Sequence, residues 1–169
     1  MSEQIRVVVA DDHPMWRDAV ERDLQDAGME VVATAADGRA ALDRTLAVRP
    51  DVLVLDLNLP VLHGVQVCRR LQEAGAQVHI LVLSASGEAG DVLQAVKEGA
   101  TGYLVKSAGR EEFLAAVRST AEGKAVFTPG LAGLVLGEYR RLAGRRPRTR
   151  PTPNSRRVRP RSCAWWPRG

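Results

Sequence analysis

Five short runs of β-branched and apolar residues punctuate the first three quarters of the chain: IRVVVA from Ile5, EVVATA from Glu30, DVLVLD from Asp51, HILVLSA from His79 and TGYLVK from Thr101. They recur every 20 to 30 residues. Between them apolar residues fall at helical spacing, as in Trp16, Ala19, Val20 and Leu24, or Val92, Leu93 and Val96. Strands that are apolar on both faces, alternating with amphipathic helices, predict a parallel sheet covered by helices on both sides. The intervening segments suit right-handed crossovers. Gly28, Gly75, Gly99 and Gly123 each follow a helical stretch, where a left-handed cap residue belongs. The expected fold is therefore α/β, an open doubly wound five-stranded parallel sheet occupying residues 4–124. A connector helix is expected over 129–143, after Pro129 and Gly130, with Leu131, Leu134, Val135 and Leu142 on one side.

The net charge of +4 conceals two unlike segments. Residues 1–138 hold 13 Lys/Arg and all 20 Asp/Glu, whereas residues 139–169 hold 11 Arg and no acid. The last segment also carries five of the nine prolines, so 144–169 reads as a disordered Arg/Pro-rich tail. No run of about 18 apolar residues is present, which predicts no membrane-spanning helix and no membrane partner. Acidic residues interrupt the N-terminal stretch where a signal peptide would stay apolar. Two cysteines, Cys68 and Cys163, make neither a disulfide framework nor a metal cluster, in keeping with a reducing cytoplasm. Walker, GxGxxG, GxSxG and HExxH motifs are missing, so nucleotide-dependent and hydrolytic chemistry has no motif support.

In sheets of this kind ligands bind beyond the carboxyl ends of the strands. The first run ends in Asp11-Asp12, the third in Asp56, the fourth in Ser84 and the fifth in Lys106, while the second ends in Ala35 and Ala36. Singly, an aspartate at a strand end is more often a turn former or cap than a ligand. Together, three carboxylates in one crevice repel each other unless a cation sits among them. Hard oxygen donors on a rigid edge suit Mg²⁺, and a lysine across the crevice offsets remaining charge. The site is expected to take a divalent cation and an anion. His13, His63 and His79 lack metal-ligand spacing and read as solvated or packed side chains, Trp16 as packed on the first helix, and Cys68 as buried on the third.

These residues carry a family resemblance. The acidic pair in VVVADDHP, the aspartate in DVLVLDLNLP, the serine in LVLSAS and the lysine in GYLVKSA, with Pro60, Gly64 and Gly99-Ala100, fall in the order and separations of one family. The chain from about Gln4 to Glu122 resembles the receiver domain of two-component response regulators, which has a flavodoxin-like fold. The resemblance implies that Asp56 is the phosphoacceptor for a cognate sensor histidine kinase. It implies that Asp11, Asp12 and Asp56, with the backbone carbonyl of Asn58, hold Mg²⁺. Ser84 and Lys106 would stabilise the phosphoryl group, and Tyr103 would be the switch aromatic, although it reads equally as a core residue. The protein would then be a phosphoacceptor rather than an enzyme with a substrate of its own. Lys106 is followed by Ser107 where many receivers have proline, which leaves the geometry of that peptide bond open.

DDHPMWRDAV and LAGLVLGEYRRLA look like the NarL/LuxR subfamily, whose receivers precede a helix-turn-helix domain that binds DNA, and the resemblance allows a phosphorylation-dependent homodimer as a partner. The residues after Leu142 are too few and too aperiodic for that domain, so DNA binding by this route is not expected of the chain. One reading of the tail is an out-of-frame remnant. Trp165-Trp166 must be TGGTGG, and if Cys163-Ala164 is TGC GCC after a serine codon ending in C, the shifted frame reads Leu-Arg-Leu-Val, similar to the first helix of a LuxR-type domain. Two other readings stand beside it: a stand-alone receiver that signals by protein contact, and sequence-independent nucleic-acid binding through the arginines.

Overall fold

A computed structural model describes residues 4–85 and 89–127, with Gly133, Leu136, Gly137, Arg140, Arg141, Ala143 and Gly144 beyond them. Strands and helices alternate: β1 (Arg6–Ala10), α1 (Pro14–Asp26), β2 (Glu30–Ala35), α2 (Gly38–Val48), β3 (Val52–Asp56), α3 (Gly64–Glu73), β4 (His79–Ser84), α4 (Ala89–Lys97), β5 (Gly102–Val105), α5 (Arg110–Ala121) and β6 (Val126–Phe127). All strands pair in parallel, in the order β2-β1-β3-β4-β5-β6. The doubly wound sheet is as expected, with one difference. It has a sixth strand, because Val126 and Phe127 pair with Gly102 and Tyr103 at the edge. Two residues are too short for any period to be read, so this strand was not visible in the sequence.

The central strands are apolar along most of their length because the pleat sends alternate residues into two separate cores. Val7, Val9, Val52, Val54, Leu81 and Leu83 join Val20 and Leu24 of α1 and Phe113 and Val117 of α5 on one face. Val8, Leu53, Leu55, Ile80 and Val82 meet Leu42, Val67, Leu71 and Val92 from α2, α3 and α4 on the other. Arg110 ties α5 to α1, its Nε 3.1 Å from Asp23 Oδ1. The four glycines expected to cap helices do so, at φ 84, 69, 101 and 79 for Gly28, Gly75, Gly99 and Gly123.

Cys68 on α3 is fully buried, as expected, and burial pushes its thiol from an ordinary 9.0 to about 12. The thiolate is the reactive form, so Cys68 should alkylate at least ~100-fold more slowly at pH 8 in the folded protein than in urea. Peptide mass spectrometry after iodoacetamide pulses checks this, and rapid labelling of the folded protein would show the α3 core to be open. Between pH 9 and 12 only the unfolded chain ionises at this thiol, so the group makes the fold less stable as pH rises through that window.

The chain divides into two units after Gly137. Of the connector expected over 129–143, Gly133, Leu136, Gly137, Arg140, Arg141 and Ala143 are helical, and the tail beyond Gly144 lies outside the described residues. No helix among the described residues is long and apolar enough to cross a membrane.

Candidate functional site

The chain leaves β1 toward β2 on one side and returns past it to β3 on the other, so the connections after β1 and β3 diverge. Such a divergence leaves a crevice at the carboxyl edge. Asp11 follows β1 there, its backbone N–H donating to Ala35 O at 3.0 Å. Asp56 closes β3, and Ser84 closes β4 opposite Val105 of β5. Lys106 follows β5, held by its N–H on Ser84 O at 2.8 Å. Strand register thus brings four residues from four strands to one place.

Two carboxylates in this crevice are nearly out of water, Asp11 at 2% and Asp56 at 4% exposed. Burying charge is costly unless it is paired, and Lys106 pairs both. Its Nζ lies 2.7 Å from Asp11 Oδ2 and 3.2 Å from Asp56 Oδ2. Burial works against the Lys106 ammonium, but the hydrogen bond to Asp11 and the charges of Asp56 and Asp11 outweigh it and hold its pKa above the ordinary value. The remaining carboxylate oxygens are also occupied. Asp11 Oδ1 accepts from the N–H of His13 at 2.9 Å, and Asp56 Oδ1 from the N–H of Asn58 at 3.1 Å. Arg17 donates to the carbonyl of Asp11 at 2.9 Å, fixing the β1–α1 loop from within α1.

Asp12 sits at the exposed rim beside the pair. Asp11, Asp12, Asp56 and His13 each offer one ligand atom, and these atoms lie within 4.8 Å of one another. A donor set dominated by carboxylate oxygen on a rigid edge fits a hard divalent cation such as Mg²⁺. The sequence reads His13 as a solvated or packed side chain without metal-ligand spacing. It is exposed, and its Nδ1 lies 3.0 Å from Asp12 Oδ1 and 3.3 Å from Asp11 Oδ1. Spacing rules for metal sites could not find it, because it meets the acids as their chain neighbour at the top of α1. His63 has a different task, accepting from Val65 N–H at the start of α3.

Ser84 is buried at the crevice wall. Tyr103 is fully buried in the core shared with α2, α3 and α4. The Lys106–Ser107 peptide bond is trans. The β3–α3 loop holds a feature that the sequence did not announce. Val61 has φ 71, which is rare for a β-branched residue, in a tight turn closed by Leu62 N–H on Pro60 O at 2.8 Å. The turn leaves Val61 exposed, five residues after Asp56.

Comparison with known proteins points the same way. The response regulator receiver domain family matches residues 7–118. The transcriptional regulatory protein NarL of Mycobacterium tuberculosis is 41% identical over 142 residues, which are 83% of this chain and 66% of that protein. The nitrate/nitrite response regulator NarP of Escherichia coli is 38% identical over 124 residues, 73% of this chain and 58% of that one. The chain therefore spans less than two thirds of the length of each of these relatives. The signal receiver domain of the Mycobacterium tuberculosis NarL superposes with a TM-score of 0.71 at 40% identity, covering 73% of this chain and all of that domain. A LuxR-family two-component response regulator from Aurantimonas gives 0.75 at 29% identity, over 81% and 99% of the two chains.

Proposed function

The chain belongs to the response regulator receiver family, and from that premise we propose that it accepts a phosphoryl group on Asp56 in a Mg²⁺-dependent transfer from a histidine kinase. The observation that carries this reading is the Lys106 ammonium shared between the buried carboxylates of Asp11 and Asp56. A carboxylate attacks phosphorus well only when negative charge on the phosphoryl oxygens is neutralised.

In the transfer, an Asp56 oxygen forms a bond to phosphorus as the bond from phosphorus to the donor imidazole breaks, and the released imidazole takes a proton from water. Asp11, Asp12 and Asp56, with the Asn58 carbonyl, would hold the Mg²⁺, with His13 beside them. The ion supplies charge neutralisation at the phosphoryl oxygens. Lys106 follows the charge, exchanging the Asp56 carboxylate for a phosphoryl oxygen while keeping Asp11. The Ser84 hydroxyl donates to a second oxygen. The N–H of Asn58 stays on Asp56 and orients the oxygen that reacts. A new dianion at this edge then alters the surface around Ser84, Tyr103 and α4, by which a receiver addresses its output. Control of transcription comes to this reading from the names of the relatives, and the kinase and the homodimer come from the family resemblance.

The test is direct. With Mg²⁺ and acetyl phosphate the intact mass should rise by one phosphoryl group, and a chelator of divalent ions should prevent the gain. Uptake that ignores the chelator would overturn the metal-dependent reading.

A further inference from the structure

Lys106 has a third partner besides its two carboxylates. Its Nζ stands 4.7 Å from the centroid of the Trp16 ring, inside the range of about 6 Å in which a cation is attracted to an aromatic face. Trp16 lies in the first turn of α1, half-buried against the core shared by α1 and α5. The core fixes the ring, and the ring faces the lysine. A cavity of about 190 Å³ runs beneath them, lined by Trp16, Ala19, Val20, Lys106, Ala108 and Phe113 among others. The lysine and the indole both line this open space.

A lysine on a four-carbon stem has many rotamers, and holding the ammonium in one place removes that freedom. In the proposed reaction the ammonium must release Asp56 and meet a phosphoryl oxygen. Asp11 keeps its contact through this exchange, while Asp56 changes its charge and its geometry. The indole changes neither.

We propose that Trp16 is a positioning residue for Lys106, keeping the ammonium at the crevice as its anionic partner changes from carboxylate to phosphoryl. The inference rests on the reading of Asp56 as phosphoacceptor and adds a residue to it. The ring attracts the cation through its face without competing for hydrogen bonds, so all three donors of the ammonium stay available to oxygen. Phenylalanine retains a face of this kind, and leucine fills space without one.

The initial rate of phosphoryl uptake from acetyl phosphate, followed by intact mass, tests the role. Trp16→Leu should slow uptake about 3- to 10-fold, and Trp16→Phe should stay within about 2-fold of the unmodified protein. Equal slowing by both substitutions, or slowing by neither, overturns the proposal. A second measurement needs no donor. With Trp165 and Trp166 changed to phenylalanine, the indole emission comes from Trp16 alone, and Lys106→Met should alter its intensity or position. An emission that ignores Lys106→Met overturns the contact. If the unmodified protein takes up no phosphoryl group, the functional reading fails, and the emission still decides whether ring and ammonium meet.

Discussion

Asp56→Asn is expected to abolish phosphoryl uptake while leaving the fold intact. The substitution keeps the shape of the side chain at the end of β3, where Asp56 is buried and accepts from Asn58 N–H and Lys106 Nζ. An asparagine oxygen can accept one of these two hydrogen bonds, so local order should persist. What is lost is the anionic oxygen. A neutral amide is a far weaker nucleophile, and the rate should fall at least ~1000-fold, below detection by intact mass. Asp12→Asn is the useful companion, because Asp12 lies at the exposed rim and should weaken metal binding without removing the acceptor. It is expected to raise the Mg²⁺ concentration needed for half-maximal uptake, and to leave the uptake at saturation mostly intact. If Asp56→Asn still gains the mass, the phosphoacceptor is another residue.

The largest loss of stability is expected from replacing one hydrogen atom with a methyl group. A Cβ on Gly38 would stand 1.7 Å from the carbonyl oxygen of Leu62 and 2.6 Å from its carbon. Both are backbone atoms, and they belong to the β3–α3 loop, whose Pro60 carbonyl accepts from Gly38 N–H at 3.1 Å. The loop cannot retreat without breaking that bond and disturbing the tight turn at Val61. Gly38→Ala should therefore cost about 3 kcal/mol or more, lowering the thermal midpoint by roughly 10 °C. Gly90 in α4 provides the contrast. A Cβ there meets nothing within 4 Å, and alanine favours helix over glycine, so Gly90→Ala should stabilise by up to about 1 kcal/mol. Urea unfolding of the two variants measures both signs. A Gly38→Ala protein as stable as the parent would mean that α2 and the loop are packed less closely than the structure has them.

How much of this could be read before folding depended on whether the signal was local. The two cores follow from unbroken apolar strands, since a period-2 pleat divides Val7 and Val9 from Val8 and Ala10 whatever lies around them. Asp11, Asp56, Ser84 and Lys106 were legible because one rule, that polar groups at strand ends share an edge, converts positions along the chain into neighbours in space. The rule has no term for a residue at the cap or in the first turn of a helix. It therefore missed His13 beside the aspartates, and Trp16 was read as packing alone. The meeting of Trp16 with Lys106 depends on how α1 lies against the start of α5, which no window of the sequence contains. β6 and the turn at Val61 were invisible for another reason. A two-residue strand has no period, and a valine with φ 71 breaks the local preference by which it would be recognised.

Lys106 meets Asp11 across 95 residues of chain and Asp56 across 50. The crevice is therefore absent from every fragment and early folding intermediate in which β5 is not yet seated beside β4, because no shorter stretch contains its three charges. The crevice is complete only when β1, β3 and β5 are all in register. Until then Asp11 and Asp56 are ordinary solvated aspartates, and acetyl phosphate has no more reason to react with them than with any other acid on the chain. Phosphoryl uptake in a refolding experiment would accordingly track the completed fold, and its amplitude would count the molecules that have finished folding.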